Sequence, residues 1–404
     1  MDYTALDRAT DRIRIPQLDI EIADLETTLA ARRSERAAAR KRLDAYSYPV
    51  LAMASEVISE IFLHCIPAYP RCPPLVGTES PTKLTQICRL WRQIAHLTPG
   101  LWRAISIARF PPRRRRSSYP AIAEAWLSRS GAMLLSIVLE LPCVLDLQRA
   151  EIMALFLDHR ARWQYLTLDL ESEEQFLPDV FADSLPHLQE LDLRTERDPD
   201  DGGPLSAIIS STFLRTAHLN LNALPGDRSQ VILRSHNLSK LSLCATTMEV
   251  SPILSEAVNL VHIRLYLQSH DAGAGAPMSA TLPRLETLIV NLHGESELPS
   301  TNRHQIKHFL HGISAPVLRR LYIEADLLES INEENQLHAV VSLVDSLASR
   351  CLQHLAVTYT RGGTLEEYQQ ALPDVANITV DGEDGSDLVD DDPDCWQAWE
   401  LNQK

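Results

Sequence analysis

The chain has 404 residues, 45% of them hydrophobic, with 24 prolines, 14 glycines and a formal net charge of -16. That length and apolar content supply a sizeable core and exclude global disorder, while the acidic balance lacks the basic footprint with which a general nucleic-acid binder neutralises phosphates. The seven cysteines are scattered, odd in number and without a Cys-x-x-Cys pair, which points to reduced thiols rather than a disulfide frame or a zinc site.

The opening residues, Met1-Asp2-Tyr3-Thr4, lack the basic and apolar regions of a leader. The longest apolar run, Ala132 to Leu139, is broken by Ser136, so neither a membrane span nor a membrane partner is expected. From Ile15 the apolar positions Leu18, Ile22, Leu25 and Leu29 follow in steps of three and four, a coiled-coil spacing. The register then reaches Arg32, Arg36 and Ala39 before Leu43. This predicts one helix over residues 16–46 with Pro16 in its first turn, packed within the chain or in a weak dimer.

Two short amphipathic helices come next. Val57, Ile58, Ile61, Phe62 and Cys65 recur at helical spacing behind Ser55, a candidate N-cap, and Pro67 stops the run. A second helix is expected to open at Ser80-Pro81 and to carry Leu84, Ile87, Cys88, Trp91, Ile94 and Ala95 on one stripe as far as Thr98-Pro99-Gly100. Leu101, Trp102 and Ile105 close the unit. Such a pair cannot bury both apolar faces against each other, so part of the stripe is left for a partner.

The words SEVISEIFLHCIP, LTQICRLWRQIA and TPGLWRAI resemble an F-box, in the form found in F-box-like families of mushroom-forming fungi. Where that family usually begins with Leu-Pro-x-Glu, this chain has Met53, Ala54, Ser55 and Glu56, so the stiffening proline is missing. The resemblance implies a surface for the Skp adaptor made by Met53, Val57, Ile58, Ile61, Phe62, Leu84, Ile87 and Trp91.

After this unit, Arg113 to Arg116 form the strongest basic run of the chain, between an expected strand at Ala104 to Ala108 and a helix starting near Tyr119. It reads as a solvated loop, with nuclear import, a basophilic kinase site or a phosphate contact as the functional alternatives. From Trp126 onward the pattern apolar-x-x-apolar-x-apolar recurs as WQYLTL at Trp163, LQELDL at Leu188, LSKLSL at Leu238, LVHIRL at Leu260, LETLIV at Leu285, LRRLYI at Leu318, LQHLAV at Leu352 and VANITV at Val375. TAHLNL at Thr216 is a copy with a polar first position, and Ala104–Ile107 and Leu135–Leu139 read as degenerate leading copies. Successive copies lie 22 to 34 residues apart, the scale of leucine-rich repeats.

The expected fold class is therefore α plus an α/β solenoid. It has an N-terminal helix over 1–47, an F-box-like helical unit over 48–105, a curved irregular repeat array over 106–380 and an acidic, disordered tail over 381–404. The strand period turns alternate residues away from the leucine core. Counting across copies gives one row of Asp192, Asn220, Ser242, Arg264, Ile289 and Tyr322, and a second of Arg194, Asn222, Cys244, Tyr266, Asn291 and Glu324. Asp192, Arg194, Arg264, Tyr266, Tyr322 and Glu324 are the candidate target-binding residues on the concave face, with Arg264, Tyr266 and Tyr322 as anchors.

Catalytic signatures are not found. His304, His308 and His311 share one side of an expected helix without a flanking carboxylate, and read as ordinary histidines rather than metal ligands. Gly273-Ala-Gly275 has neither the lysine nor the strand-turn-helix context of a phosphate loop, and no Gly-x-Ser-x-Gly occurs. The expectation is a protein without catalytic residues, cofactor or metal. The resemblance implies a substrate receptor of a Skp/cullin/F-box ubiquitin ligase, cytoplasmic or nuclear, with one copy per complex bound to the Skp adaptor and cullin and to a protein target. The alternative is a repeat-based interaction scaffold that uses its helices as an internal cap.

Overall fold

The computed structural model describes residues 5–46, 49–107, 118–140, 146–171, 177–196, 206–222, 230–267, 279–292, 300–328, 334–358, 360 and 363–380. The chain forms two compact units, residues 1–61 and 62–404. Arg113 to Arg116, Gly273 to Gly275 and the acidic stretch from Asp381 lie outside the described residues.

The first unit holds the long helix α1, Ala5–Ala45, and the start of α2, Ser55–His64. Helix α1 begins well before the expected first turn, so Pro16 stands in its interior, where it donates no hydrogen bond to the preceding turn. The heptad-spaced residues Ile15, Leu18, Ile22, Leu25 and Leu29 are exposed.

The second unit opens with the end of α2 and continues through α3, Leu84–Ile87, and α4, Arg89–His96. The single helix expected from Ser80 is thus two. Ser80 caps only a short 3-10 turn, accepting a hydrogen bond from the Thr82 amide at 3.2 Å. Cys88 is extended (φ -152°, ψ 171°), and its Sγ accepts from the Trp91 amide at 3.4 Å, capping α4. The break separates residues expected on one stripe: Ile94 and Ala95 are buried, whereas Ile87 is 60% exposed. Trp102 then anchors α4 to helix α5, Tyr119–Arg129. Its indole N–H donates to the Ala95 carbonyl at 2.7 Å, and its ring meets Trp126 edge-on at 5.3 Å. A Cβ at Gly100 would sit 3.0 Å from Leu63 Cδ2, so a larger residue at this turn would need the Leu63 side chain to shift.

The described residues contain fifteen strands: β1 Ala104–Ile107, β2 Leu135–Glu140, β3 Trp163–Glu171, β4 Glu190–Glu196, β5 Ser206–Ser210, β6 Thr216–Asn222, β7 Gln230–Arg234, β8 Lys240–Ala245, β9 His262–Leu267, β10 Ala280–Thr281, β11 Thr287–Leu292, β12 Ile313–Ser314, β13 Arg320–Glu324, β14 His354–Thr358 and β15 Asn377–Val380. Eleven of them form one sheet in the order β1-β2-β3-β4-β6-β8-β9-β11-β13-β14-β15, every pair parallel, while β5-β7 and β10-β12 are separate parallel pairs. The connections carry α5 and the further helices α6 Asp146–Leu157, α7 Leu177–Val180, α8 Thr247–Glu256, α9 Ser300–His311, α10 Glu334–Ser346 and α11 Leu365–Ala371.

The expected curved solenoid is therefore corrected to an α/β architecture built on one large all-parallel sheet. The recurring six-residue pattern marks its strands, and the reason it does so is general: any strand with one face in the core buries alternate side chains, whatever the larger shape of the domain. Leu166, Leu168, Leu191, Leu193, Leu241, Leu243, Ile263, Leu265, Leu288, Leu321 and Leu355 are all buried on the covered face.

The first edge of the sheet is occupied by the proline-rich loop, whose length exceeds what two helices need. Pro74 bridges Ser106 in parallel, and the Leu75 amide donates to the Ser106 carbonyl at 3.2 Å. Tyr69 locks the loop in place by donating to Gln164 Oε1 at 2.7 Å beneath the guanidinium of Arg103, 3.6 Å from its ring centroid. Burial pushes the Tyr69 hydroxyl up to about 12, so it stays a donor. Covering the edge removes a row of unpaired backbone groups that would otherwise recruit another strand.

Candidate interaction surfaces

The residues singled out in the sequence fall on the short helices, taken unit by unit, and on the large sheet. In the first unit, Val57 is 50% and Ile61 40% exposed, and Met53 is exposed as well, whereas Ile58 is buried. In the second unit, Phe62 and Leu84 are buried and Trp91 is half-buried, with Phe62 and Trp91 in edge contact at 4.9 Å. Ile58, Phe62 and Leu84 are accordingly core residues, a correction to the expected contact set, and Met53, Val57, Ile61 and Ile87 retain the capacity to meet a partner. Leu90 and Leu97 on and beyond α4 are also exposed. They escape sequence reasoning because they fall off the stripe assigned to a single unbroken helix.

The six candidate target-binding residues all lie on the half-exposed face of the large sheet, in two adjacent rows. Backbone pairing puts Thr167, Asp192, His218, Ser242, Arg264, Ile289, Tyr322 and Ala356 in one row. Arg194, Asn220, Cys244, Tyr266 and Asn291 follow in the next. Strand β6 thus departs from the expected count by two residues: His218, not Asn220, stands between Asp192 and Ser242. The copy actually begins at the buried Leu214, with Ala217 in its second apolar position opposite Leu191. Alanine fills that core position with so little apolar mass that a reading by large residues starts the pattern at Thr216.

Within the two rows the side chains make distinct arrangements. Asp192 and Arg194 neutralise each other, Nη2 to Oδ2 at 3.2 Å. Glu324 accepts from Asn291 Nδ2 at 3.1 Å and from the Leu292 amide at 2.8 Å, so it ties off the end of β11. Burial raises its carboxyl above the ordinary range, with these two hydrogen bonds pulling the other way. Arg264 is only 6% exposed, and its Nε has no hydrogen-bond partner. The Oδ1 atoms of Asn220 and Asn291 are likewise buried without a partner. One donor and two acceptors are therefore held desolvated on one face, each at a cost of about 1–3 kcal/mol unless a ligand or water completes it. The Tyr266 ring beside them is half-exposed. Adjacent strands stand about 4.8 Å apart, so the three-strand step from Asn220 to Asn291 spans about 14 Å.

The expected histidine trio does not converge. His304 and His308 are exposed, while His311 places Nδ1 2.8 Å from the Lys307 carbonyl and Nε2 3.2 Å from Ser342 Oγ. Among the described residues, no group of three or more His, Cys, Asp or Glu side chains is placed to hold a metal, and no helix is long and apolar enough to cross a membrane. No protein-family model matches the chain, and no curated protein matches it in sequence.

Proposed function

We propose that the chain is a substrate receptor of a Skp/cullin/F-box ubiquitin ligase, in which the α2–α4 segment meets the Skp adaptor and the half-exposed face of the large sheet holds the protein to be modified. The observation that carries this reading is the set of large apolar side chains left uncovered on the segment whose words resemble an F-box: Val57, Ile61 and Ile87. Apolar side chains of this size on short helices gain about 25 cal/mol per Å² when a partner covers them. The chain needs no catalytic residue for this role. Tethering a target beside the conjugating machinery raises the effective concentration of its lysines, and the chemistry belongs to the other subunits. In this reading the compartment is cytoplasmic or nuclear, where the ligase components reside.

One observation favours a second reading, a scaffold in which the helices serve only as a cap. The contact of Trp102 with Trp126 and its hydrogen bond to Ala95 fix α4 firmly to the sheet unit. Reciprocal pull-down of the full chain with a purified Skp adaptor separates the two readings. The receptor reading requires stoichiometric capture, and the scaffold reading requires none.

A further inference from the structure

Helix α1 is exposed along nearly its whole length and carries a seam that no described residue of its own unit covers. Leu18 and Leu29 are 38% and 48% exposed, and Ile22, Leu25 and Leu43 are more open still. Written as heptads, the a positions are Ile15, Ile22, Leu29, Arg36 and Leu43 and the d positions are Leu18, Leu25, Arg32 and Ala39. From Leu18 to Leu43 this seam runs about 38 Å at 1.5 Å per residue, enough for a stable two-stranded coil. Ile13 and Ile20 stand outside it.

We propose that α1 pairs with α1 of a second copy in antiparallel orientation, and that the protein is a dimer through this helix. The charges choose both the occupant and the direction. Acidic residues gather in the first half of the seam, Asp19, Glu21, Asp24 and Glu26, and basic ones in the second, Arg32, Arg33, Arg36, Arg40, Lys41 and Arg42. A parallel pair would set Arg32 on Arg32 and Arg36 on Arg36 in the core, and Glu21 against Glu26 on the flank. All three contacts are repulsive, and the two in the core outweigh the attractive flanking pairs Arg14 with Asp19 and Glu35 with Arg40.

The antiparallel pair removes every one of them. With Leu18 layered on Leu43 of the other copy, Ile22 meets Ala39, Leu25 meets Arg36 and Leu29 meets Arg32. In the last two layers the aliphatic arginine stem covers the leucine while the guanidinium reaches water. Arg32 already turns its head aside, with Nη1 3.0 Å from Glu35 Oε2 of its own helix. On the flanks, Asp19 then faces Arg40, Glu26 faces Arg33 and Glu21 faces Arg42, and the two-fold axis repeats each pair. A second copy of α1 therefore supplies both the apolar layers and the charge complement that the seam asks for. The inference revises the expectation of a single copy and stands independently of the receptor reading.

Sedimentation equilibrium of the full-length chain tests it, with circular dichroism confirming that each variant keeps its helix. The wild type is expected as a dimer whose affinity falls with added salt, and Ile22→Glu as a monomer. Glu26→Arg is expected to weaken the dimer about tenfold, since two flanking pairs per dimer turn repulsive, and Glu26→Arg with Arg33→Glu to recover it. A wild type that stays monomeric overturns the proposal. So does a dimer that survives Ile22→Glu, which lies on another surface, and a dimer that Glu26→Arg tightens, which is parallel.

Discussion

The guanidinium carbon of Arg264 lies 4.7 Å from the ring centroid of Tyr266, two residues along the same strand and on the same face of the sheet. The ring holds the cation in place while its Nε–H stays without a hydrogen-bond partner, so the arginine is positioned but not fully satisfied. A buried charge in that state stabilises nothing by itself, and its natural complement is an acceptor brought by a bound segment.

Replacing this arginine by an apolar chain of similar length separates stability from function. Arg264→Met is expected to unfold at the same urea concentration as the wild type or a higher one, by up to about 1 kcal/mol, because a desolvated charge gives way to packed thioether. Capture of target protein is expected to fall at least tenfold in the same variant. A marked loss of stability would show that the guanidinium is a structural tie instead of a binding group.

The acid side of the stability profile has a named contributor. Burial lowers the pKa of His218 from 6.5, with Asp192 and Glu190 opposing the shift. A histidine depressed in the folded state binds fewer protons than its unfolded counterpart below pH 6.5, so its contribution is complete above that pH and is lost as the pH falls through and below it. His159, also depressed chiefly by burial, acts in the same direction. Denaturant titrations of wild type and His218→Gln from pH 7.5 down to pH 5, spanning that window, are expected to show a shallower decline in the variant. The difference is at most about 1.4 kcal/mol per pH unit. Parallel declines would remove His218 from the account.

Gly363 has a φ of +96°, and a Cβ there would stand 2.9 Å from Cε2 of the fully buried Tyr368. Gly363→Ala is expected to cost about 1–3 kcal/mol through backbone strain and displacement of the ring, and to expose the C-terminal strand to amide exchange first. An unchanged melting temperature would mean that α11 relocates without penalty.

Much of the sheet is legible in the sequence, since Leu188-x-x-Leu191-x-Leu193 and its relatives state directly which residues face the core. Its extent and form are not. The same in-out alternation serves any parallel strand buried on one side, so it cannot distinguish a curved array from a single α/β sheet. The β6 register fails at one residue, where Ala217 occupies the core position that leucine fills elsewhere. Face residues are identified correctly even there, because a two-residue slip preserves the face and changes only the row. On the helical segment the capping role of Cys88 has no sequence signal, as thiols seldom cap, and the stripe through Ile87 and Ile94 crosses the break at Cys88, which leaves the first side chain out and turns the second inward. Burial of Ile58 and Phe62 against exposure of Val57 and Ile61 comes from three-dimensional packing that helical periodicity alone leaves ambiguous.

The receptor reading rests most directly on Ile61, 40% exposed on the segment that resembles an F-box. The decisive measurement is calorimetric titration of the full chain with purified Skp adaptor, comparing wild type, Ile61→Asp and Ala54→Pro, each checked for an unchanged melting temperature. The wild type is expected to bind saturably at one to one, and Ile61→Asp to lose that binding, because a carboxylate would be buried in an apolar contact at about 3–5 kcal/mol. Ala54→Pro, which restores the missing entry proline, is predicted to bind as tightly as the wild type or more so. No binding by the wild type, or binding that Ile61→Asp leaves intact, would contradict the receptor reading.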